Sequence, residues 1–294
     1  MLLQIRSFLT VVEEGSLHRA AARLNISQSA LSRQVQALEH ELGGPLLERS
    51  STGVMPTIGG RALVKRMASF LANYDANLQA VRRIIRGDAG ELRIGYLASA
   101  FHEHLEPSLR KLRRLYPDTK VKLLDLFPGE QITALRKGEI DLAFLEGSAA
   151  LSRRDFQMKK VAVLRCFVSL PEDHPLASKK KVKIAELRTE TFIVGSENEV
   201  PGIRSRLVRF CRLHGNFTPK MIEIPGGIAE GFSAVANDGA VALLPAIFRR
   251  HKRPGMILVP IADPGATWEM VVAWQKSHNA ESLLALVDAL PSAE

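Results

Sequence analysis

The chain has 294 residues, 46% of them hydrophobic and 24% charged, a balance that suits ordinary folded domains, two or more by length, and excludes a disordered chain. The formal net charge of +9 favours a polyanionic partner. Two cysteines, Cys166 and Cys211, are too few for a disulfide framework.

The basic excess is spread along the chain. Residues 1–90 hold 11 Lys and Arg against 7 Asp and Glu, and residues 91–294 hold 29 against 24. Charge is therefore a weak argument for nucleic acid, and spacing is a better one. No apolar run reaches the length of a membrane span, and residues 1–12 carry no signal-peptide pattern. The expected compartment is the cytosol, with no membrane partner.

Ile5, Phe8, Leu9 and Val12 share one helical face, which predicts a first helix over residues 4–13. Gly15 ends it. Ser16 is placed to cap a second helix through its hydroxyl, and Leu17, Ala20, Ala21 and Leu24 form that helix's apolar face. The small alanines permit close approach of another helix. Asn25 suits a left-handed turn, Ile26 is expected to plug the core, and Ser27 caps a third helix. In that helix Leu31, Val35, Leu38 and Leu42 are spaced 4, 3 and 4 and are expected to be buried.

The opposite face presents Gln28, Ser29, Ser32, Arg33 and Gln36. On an arbitrary helix such a face is simply solvated. After a short helix and a tight turn it has the chemistry of a recognition helix: Gln reads adenine, Arg reads guanine or holds phosphate, and Ser bonds phosphate or base edges. Gly43, Gly44 and Pro45 stop the helix, and Leu46 and Leu47 return to the core. Arg49, Ser50, Ser51 and Thr52 then form the polar tip of a wing that can touch DNA. Arg49 has a structural alternative in pairing with Glu48 or Glu41.

Residues 13–49 resemble the DNA-binding domain of the LysR-type transcriptional regulators. The family pattern is EEGS, a hydrophobic residue, xxAAxxL, then SQxALSxQIxxLExxLGxxLFxR. It runs from Glu13 to Arg49, with Ser29 in place of the usual Pro and Leu47 in place of Phe. Thr52 replaces a common Arg, which weakens any arginine contact from that point of the wing. The resemblance implies a DNA-reading set of Ser27, Gln28, Ser29, Ser32, Arg33, Gln36, Arg49 and Ser50, with promoter DNA as partner. An activator of this kind also meets RNA polymerase.

A long helix is predicted from Thr57 to about Arg86. Val64, Met67, Leu71, Tyr74, Leu78, Val81 and Ile85 are spaced 3, 4, 3, 4, 3 and 4, the seam of a two-stranded coil. The alternative is an amphipathic helix lying on its own domain. With no neighbouring core evident in the sequence, self-pairing is expected, so these seven residues are the expected dimerisation set. In the LysR family the helix pairs with that of a second subunit, and family habit extends the homodimer to a homotetramer.

An alternating pattern of strands and helices begins at Glu91. LRIGYL, Val121–Leu126 and Ile140–Leu145 read as strands, and His104–Tyr116 and Glu130–Lys137 as helices, which argues a mainly parallel sheet. Ligands of such sheets bind beyond the strand ends, near helix N-termini. The first such places are Ala98-Ser99-Ala100-Phe101 and Phe127-Pro128-Gly129-Glu130. A new pattern opens near Cys166. Val200-Pro201-Gly202-Ile203-Arg204 starts a helix, Ala240–Pro245 reads as a buried strand, and Trp268–Trp274 as a last strand.

The LysR resemblance implies that this part is a type 2 periplasmic-binding-protein-like fold, two α/β lobes with a ligand cleft between them. Carried over residue by residue, the effector set is Ser99, Ala100, Pro128, Gly129, Pro201, Gly202 and Ile203. Relatives that bind carboxylates often have Thr or Ser at position 128. Pro128 offers no such donor, and the backbone amides of Gly129 and Glu130 are its substitutes. The implied effector is a small organic acid or an aromatic catabolite.

Other features carry less. His102-Glu103-His104 is not a metal pair, because histidines at i and i+2 on a helix diverge. Lys179, Lys180, Lys181 and Lys183 read as an exposed basic run. Cys166 falls in a predicted strand and Cys211 in a helix interior, so buried, inert thiols are expected in preference to a redox switch. There is no nucleophile elbow, P-loop or dinucleotide fingerprint, so neither an enzyme nor a cofactor is expected.

The expected architecture is an α/β multidomain chain. A winged helix-turn-helix domain occupies residues 1–58, and a linker helix with hinge residues 59–90. The first lobe of the effector domain spans residues 91–163, the second residues 164–266, and the return to the first residues 267–294. The expected function is that of a LysR-type regulator whose DNA binding responds to a small effector. The alternatives are a solute-binding α/β protein, or a LysR-like regulator without a small effector.

Overall fold

The computed structural model describes residues 1–50, 53–86, 90–97, 101–147, 151, 156–224, 227–250, 254–276, 278 and 280–293. Within these it describes every side chain except those of Arg49, Ser50, Ser69, Ala72, Asn73, Ala76, Ala80, Arg83, Ile84, Arg86, Phe101, His102 and Arg250. Backbone contacts divide the chain into two units, residues 1–75 and 76–294.

The first unit holds α1 (Leu2–Glu14), α2 (Leu17–Leu24), α3 (Gln28–Leu42), β1 (Leu47–Ser50), β2 (Gly53–Pro56) and the start of α4 (Ile58–Arg86). The local rules anticipated in the sequence operate here. Gly15 and Asn25 adopt left-handed conformations, and the hydroxyls of Ser16 and Ser27 accept from the amides of Arg19 and Ala30. Phe8, Val11, Ala20, Leu31 and Leu38 are fully buried together. Each large side chain of this set contributes about 1.5–3 kcal/mol by leaving water.

Two expected core residues lie outside. Leu42 is 51% exposed and Ile26 is 36% exposed. Leu42 belongs to the last turn of α3, where the helix has passed its packing partners α1 and α2. Ile26 sits in the three-residue link between helices, whose geometry turns its side chain outward.

The base of the wing is held by polar contacts. Glu39 Oε1 accepts from the amides of Leu46 (2.8 Å) and Leu47 (3.1 Å), which fixes the chain as it leaves α3. Thr57 Oγ1 donates to the carbonyl of Pro45 (2.9 Å) and accepts from the amide of Gly60 (3.0 Å), so it caps α4 and ties that cap to the wing. A Cβ at position 60 would stand 2.1 Å from the carbonyl oxygen of Leu46, so only glycine fits there.

The seam of α4 divides. Val64, Met67 and Leu71 pack on the core of the first unit, with Leu71 only 6% exposed. For these three the expectation of an unpartnered seam is corrected: the helix does have a core to lie on. Arg6 of α1 also grips α4 through a bidentate ion pair with Asp75, Nη1 to Oδ2 at 2.9 Å. Tyr74, Leu78, Val81 and Ile85 remain exposed, Ile85 by 78%.

In the second unit β3 (Glu91–Tyr96) lies parallel to both β4 (Lys120–Asp125) and β5 (Leu142–Glu146). A π-helical turn, Phe101–Leu105, leads into α5 (Glu106–Leu115), and α6 (Pro128–Lys137) connects β4 to β5. The long β6 (Phe156–Pro171) follows. Then come β7 (Thr191–Val194), α7 (Ile203–Gly215), β8 (Lys220–Glu223), α8 (Gly227–Asp238), β9 (Ala242–Pro245), β10 (Met256–Pro260), β11 (Thr267–Gln275) and α9 (Glu281–Ala289).

The main sheet runs β10-β6-β11-β5-β3-β4, with β9 also paired to β6. Its character is mixed where a mainly parallel sheet was expected. The parallel pairs β3–β4 and β3–β5 stand in one lobe, and β7–β8 in the other. The long strands β6 and β11 run antiparallel to all their neighbours. Between Arg165 and Cys166 the partners of β6 change from β11 to β9 and β10, so one continuous strand passes from one lobe into the other.

The lobes meet at the start of α6. The amide of Gly129 donates to the carbonyl of Glu199 (2.9 Å), and a Cβ on Gly129 would lie 1.7 Å from the carbonyl oxygen of Asn198. Gly129→Ala must therefore part the two backbones. It is expected to cost about 1–3 kcal/mol by forced repacking, read as a lower melting midpoint. Gly44→Ala, whose new Cβ meets nothing within 4 Å, should leave the midpoint close to wild type.

Candidate functional sites

The first site is the solvent face of α3. Gln28, Ser29, Arg33 and Gln36 are exposed and Ser32 is half-buried, all on the side opposite Leu31, Val35 and Leu38. Their position follows from the core. Ser7 of α1 is buried and donates to Gln34 Oε1, and Phe8 lies beneath α3 at 0% exposure. Among the described residues Arg33 has no ion-pair partner, whereas Arg23 is paired with Glu13 and Glu14, each at 2.9 Å. The cation aimed outward from α3 is thus available to an anion. Ser27 is exposed, and its hydroxyl caps α3 and lies 3.1 Å from that of Ser29. β1 and β2 pair Leu47 with Pro56 through Ser50 with Gly53, which makes the wing. The side chains of Arg49 and Ser50 lie outside those described.

The second site is a pair of adjoining cavities between the lobes of the second unit. One, of about 460 Å³, is lined by Pro128, Pro201, Gly202, Arg209, His214 and neighbours. The other, of about 140 Å³, is lined mainly by apolar groups, among them Phe127, Ile193, Ile203, Phe232 and Phe248. Glu146, Arg206, Val200 and Trp268 line both and so form the wall between them.

That wall is polar at its centre. Arg206 Nη1 donates to the carbonyl oxygen of Glu146 (2.9 Å), and the guanidinium lies over the Trp268 ring at 4.8 Å from its centroid. Burial pushes the Glu146 carboxyl up to about 7, partly offset by the nearby Arg206 charge. Burial lowers the Arg206 pKa, against the pull of Glu146. Cys166 and Cys211 are both buried, and burial pushes each thiol up to about 12, so neither is a reactive thiolate.

Two models of known domains match the chain. Residues 2–61 match the bacterial regulatory helix-turn-helix protein of the lysR family, and residues 86–293 match the LysR substrate binding domain. This chain belongs to the LysR family. The uncharacterized HTH-type transcriptional regulator YnfL of Escherichia coli is 34% identical over 279 residues, 95% of this chain and 93% of that protein. The probable cat1 operon transcriptional activator of Acinetobacter lwoffii is 31% identical over 290 residues, 98% of this chain and 94% of that protein. The crystal structure of full-length BenM superimposes with a TM-score of 0.58 at 26% identity, covering 98% of this chain and 95% of that one. The LysR-type chain is a transcriptional regulator with an amino-terminal DNA-binding module and a carboxy-terminal effector-binding domain. Its relatives are regulators and not enzymes. Among the described residues no helix is long and apolar enough to cross a membrane.

In this LysR-type chain the residues expected at the cleft have unequal fates. Pro128, Pro201 and Gly202 line the larger cavity and Ile203 the smaller. Ser99 and Ala100 lie outside the described residues. Gly129 lines neither cavity, and its amide is taken by Glu199 across the lobe junction. The amide of Gly202 donates to Glu197 Oε2 (2.6 Å). The amide of Gly129, anticipated as a ligand donor, and that of Gly202, beside the start of α7, are therefore satisfied by the protein itself.

Glu146, Arg206 and Trp268 were not singled out in the sequence. A signal existed for two of them. Arg206 interrupts the apolar face formed by Ile203, Leu207 and Phe210 on α7, and Glu146 ends the apolar strand LAFLE at its carboxyl edge.

The raised carboxyl of Glu146 implies a pH effect. Its folded value of about 7 exceeds the ordinary 4.5, so between these values the folded protein holds a proton that the unfolded chain has lost. The resulting stability is complete below the ordinary value and disappears as pH rises through about 7. Glu146→Gln should flatten that decline and be the more stable form at pH 8, by on the order of 2 kcal/mol after solvent screening. Urea titrations of both proteins at pH 5 and pH 8 measure it. A constant difference between them at the two pH values would refute the assignment.

Proposed function

We propose that α3 reads promoter DNA in the major groove through Gln28, Ser29, Ser32, Arg33 and Gln36. Ser27 at its cap belongs to the same surface, and Arg49 and Ser50 of the wing hold phosphate. The observation that carries this reading is the largely exposed polar face of α3, with Arg33 free of any ion pair among the described residues, on a packed three-helix core. Sequence-specific contact requires side chains held in a fixed pose at the groove, and a buried opposite face provides that.

The chain acts in the cytoplasm as a homodimer, and as a tetramer by family habit. Dimerisation uses Tyr74, Leu78, Val81 and Ile85, which leave large apolar groups exposed along one helix. Val64, Met67 and Leu71 support the same helix from its own core. The functional division follows residues 1–58, 59–90, 91–163, 164–266 and 267–294. A small organic acid or aromatic catabolite binds between the lobes, and lobe closure changes the pose of paired reading heads on DNA. As an activator the dimer also meets RNA polymerase.

Arg33→Ala tests the reading head. Fluorescence anisotropy with operator DNA should show specific binding weakened about 10- to 100-fold, the value of one lost base or phosphate contact. Light scattering should show an unchanged oligomeric state. Unchanged operator affinity would refute the role of α3.

A further inference from the structure

Among the described residues five buried polar atoms of the second unit have no hydrogen-bond partner: His104 Nε2, Glu146 Oε1, Arg206 Nε, Trp268 Nε1 and Trp274 Nε1. Buried polar groups are nearly always paired, and each orphan is destabilising. His104 and Trp274 line neither inter-lobe cavity and stand as local defects, whereas Glu146, Arg206 and Trp268 line both cavities. Glu146 stands at the end of β5, Arg206 on α7 and Trp268 on β11, so three separate elements converge on one place.

The geometry fixes what each group offers. Arg206 is held by the Glu146 carbonyl through Nη1 and lies over the Trp268 ring, so its position is set while its Nε–H stays unused. Trp268 offers only an N–H donor, and Arg206 only donors. Glu146 offers a carboxyl oxygen. The carboxyl and the guanidinium make no ion pair with each other, although opposite charges at a buried site attract strongly. Two donors and one carboxyl are thus kept apart and unsatisfied beside a cavity of about 140 Å³ whose remaining lining is mainly apolar. That volume is close to that of an engineered cavity of about 150 Å³ that takes up benzene.

We propose that the effector is a compact hydroxycarboxylic acid. Its carboxylate accepts from Arg206 Nε and Trp268 Nε1, its hydroxyl hydrogen-bonds to Glu146 Oε1, and its carbon body fills the space beside Phe127, Ile193 and Phe232. This assignment rests on the effector reading above and adds the chemical class. It also accounts for the satisfied helix-start amides: with Gly129 and Gly202 already engaged, recognition passes to side chains. A site that hydrogen-bonds a substrate hydroxyl discriminates strongly against the analogue lacking it, because the site's own group is then left unpaired.

The test uses two matched pairs on the full-length protein: 3-hydroxybenzoate against benzoate, and 2-hydroxybutanoate against butanoate. Calorimetric titration should show the hydroxy acid of at least one pair binding at least tenfold more tightly than its partner. That preference should disappear in Glu146→Ala, and Arg206→Met should lose both acids of the pair, each variant keeping the wild-type circular dichroism. Binding of the acids to wild type with no preference for the hydroxyl overturns the assignment and leaves the effector reading intact. No binding of any of the four at 10 mM, on the order of the weakest useful affinity, overturns both. The wild-type comparison decides the matter even where a variant fails to fold.

Discussion

Residues 156–171 form one uninterrupted strand, and its antiparallel ladder with β11 is the constraint on which the effector-binding unit depends. The ladder pairs Trp268 with Leu164 and ends at Thr267 opposite Arg165. One residue later β6 exchanges β11 for β9 and β10. The two lobes therefore share backbone hydrogen bonds and are not merely apposed. Trp268 stands at that changeover, which explains how one aromatic ring can wall two cavities and support Arg206 from below.

The same arrangement concentrates polar groups where they are most consequential. Parallel strands β3 and β5 deliver their carboxyl ends towards the lobe junction, and β5 brings Glu146 there. α7 brings Arg206 from the other lobe, with its Nη1 anchored on a backbone carbonyl that belongs to the first. A second inter-lobe bond, from the amide of Gly129 to Glu199, holds the start of α6. Low effective dielectric strengthens each bond made in such a place and raises the cost of each one left unmade. A ligand that completes the set gains from both effects, which is how a small molecule can bias the pose of two lobes.

In the DNA-binding module the division of labour is simpler. Apolar spacing assigns Leu31, Val35 and Leu38 to the core, and the face left over presents Gln28, Ser29, Ser32, Arg33 and Gln36. Polar clamps then fix the pose: Ser7 on Gln34, Glu39 on the amides of Leu46 and Leu47, and Arg6 on Asp75. None of these three clamps is visible as a motif: Ser7–Gln34 and Arg6–Asp75 join residues distant in sequence, and Glu39 reaches backbone amides beyond the end of its own helix, all through side chains that would look equally natural in solvent.

The sequence by itself determined the helices, caps and turns of the first 57 residues, the LysR family and the alternation of strands and helices after Glu91. These follow from periodicity and from the backbone preferences of Gly, Asn and Ser, which act over a few residues. It misplaced Leu42 and Ile26, because periodicity cannot tell where a helix runs past its packing partners. It also treated Val64, Met67 and Leu71 like Leu78 and Val81, since a heptad seam reads alike whether it faces its own core or another chain. Only the tertiary structure decided that Glu146, Arg206 and Trp268 meet, that the amides of Gly129 and Gly202 are already engaged, and that β6 binds the lobes into one sheet. Apart from the local bond of Gly202 to Glu197, those facts depend on pairings across 60 or more residues, such as Arg206 with Glu146, and no local rule encodes a partner at that distance.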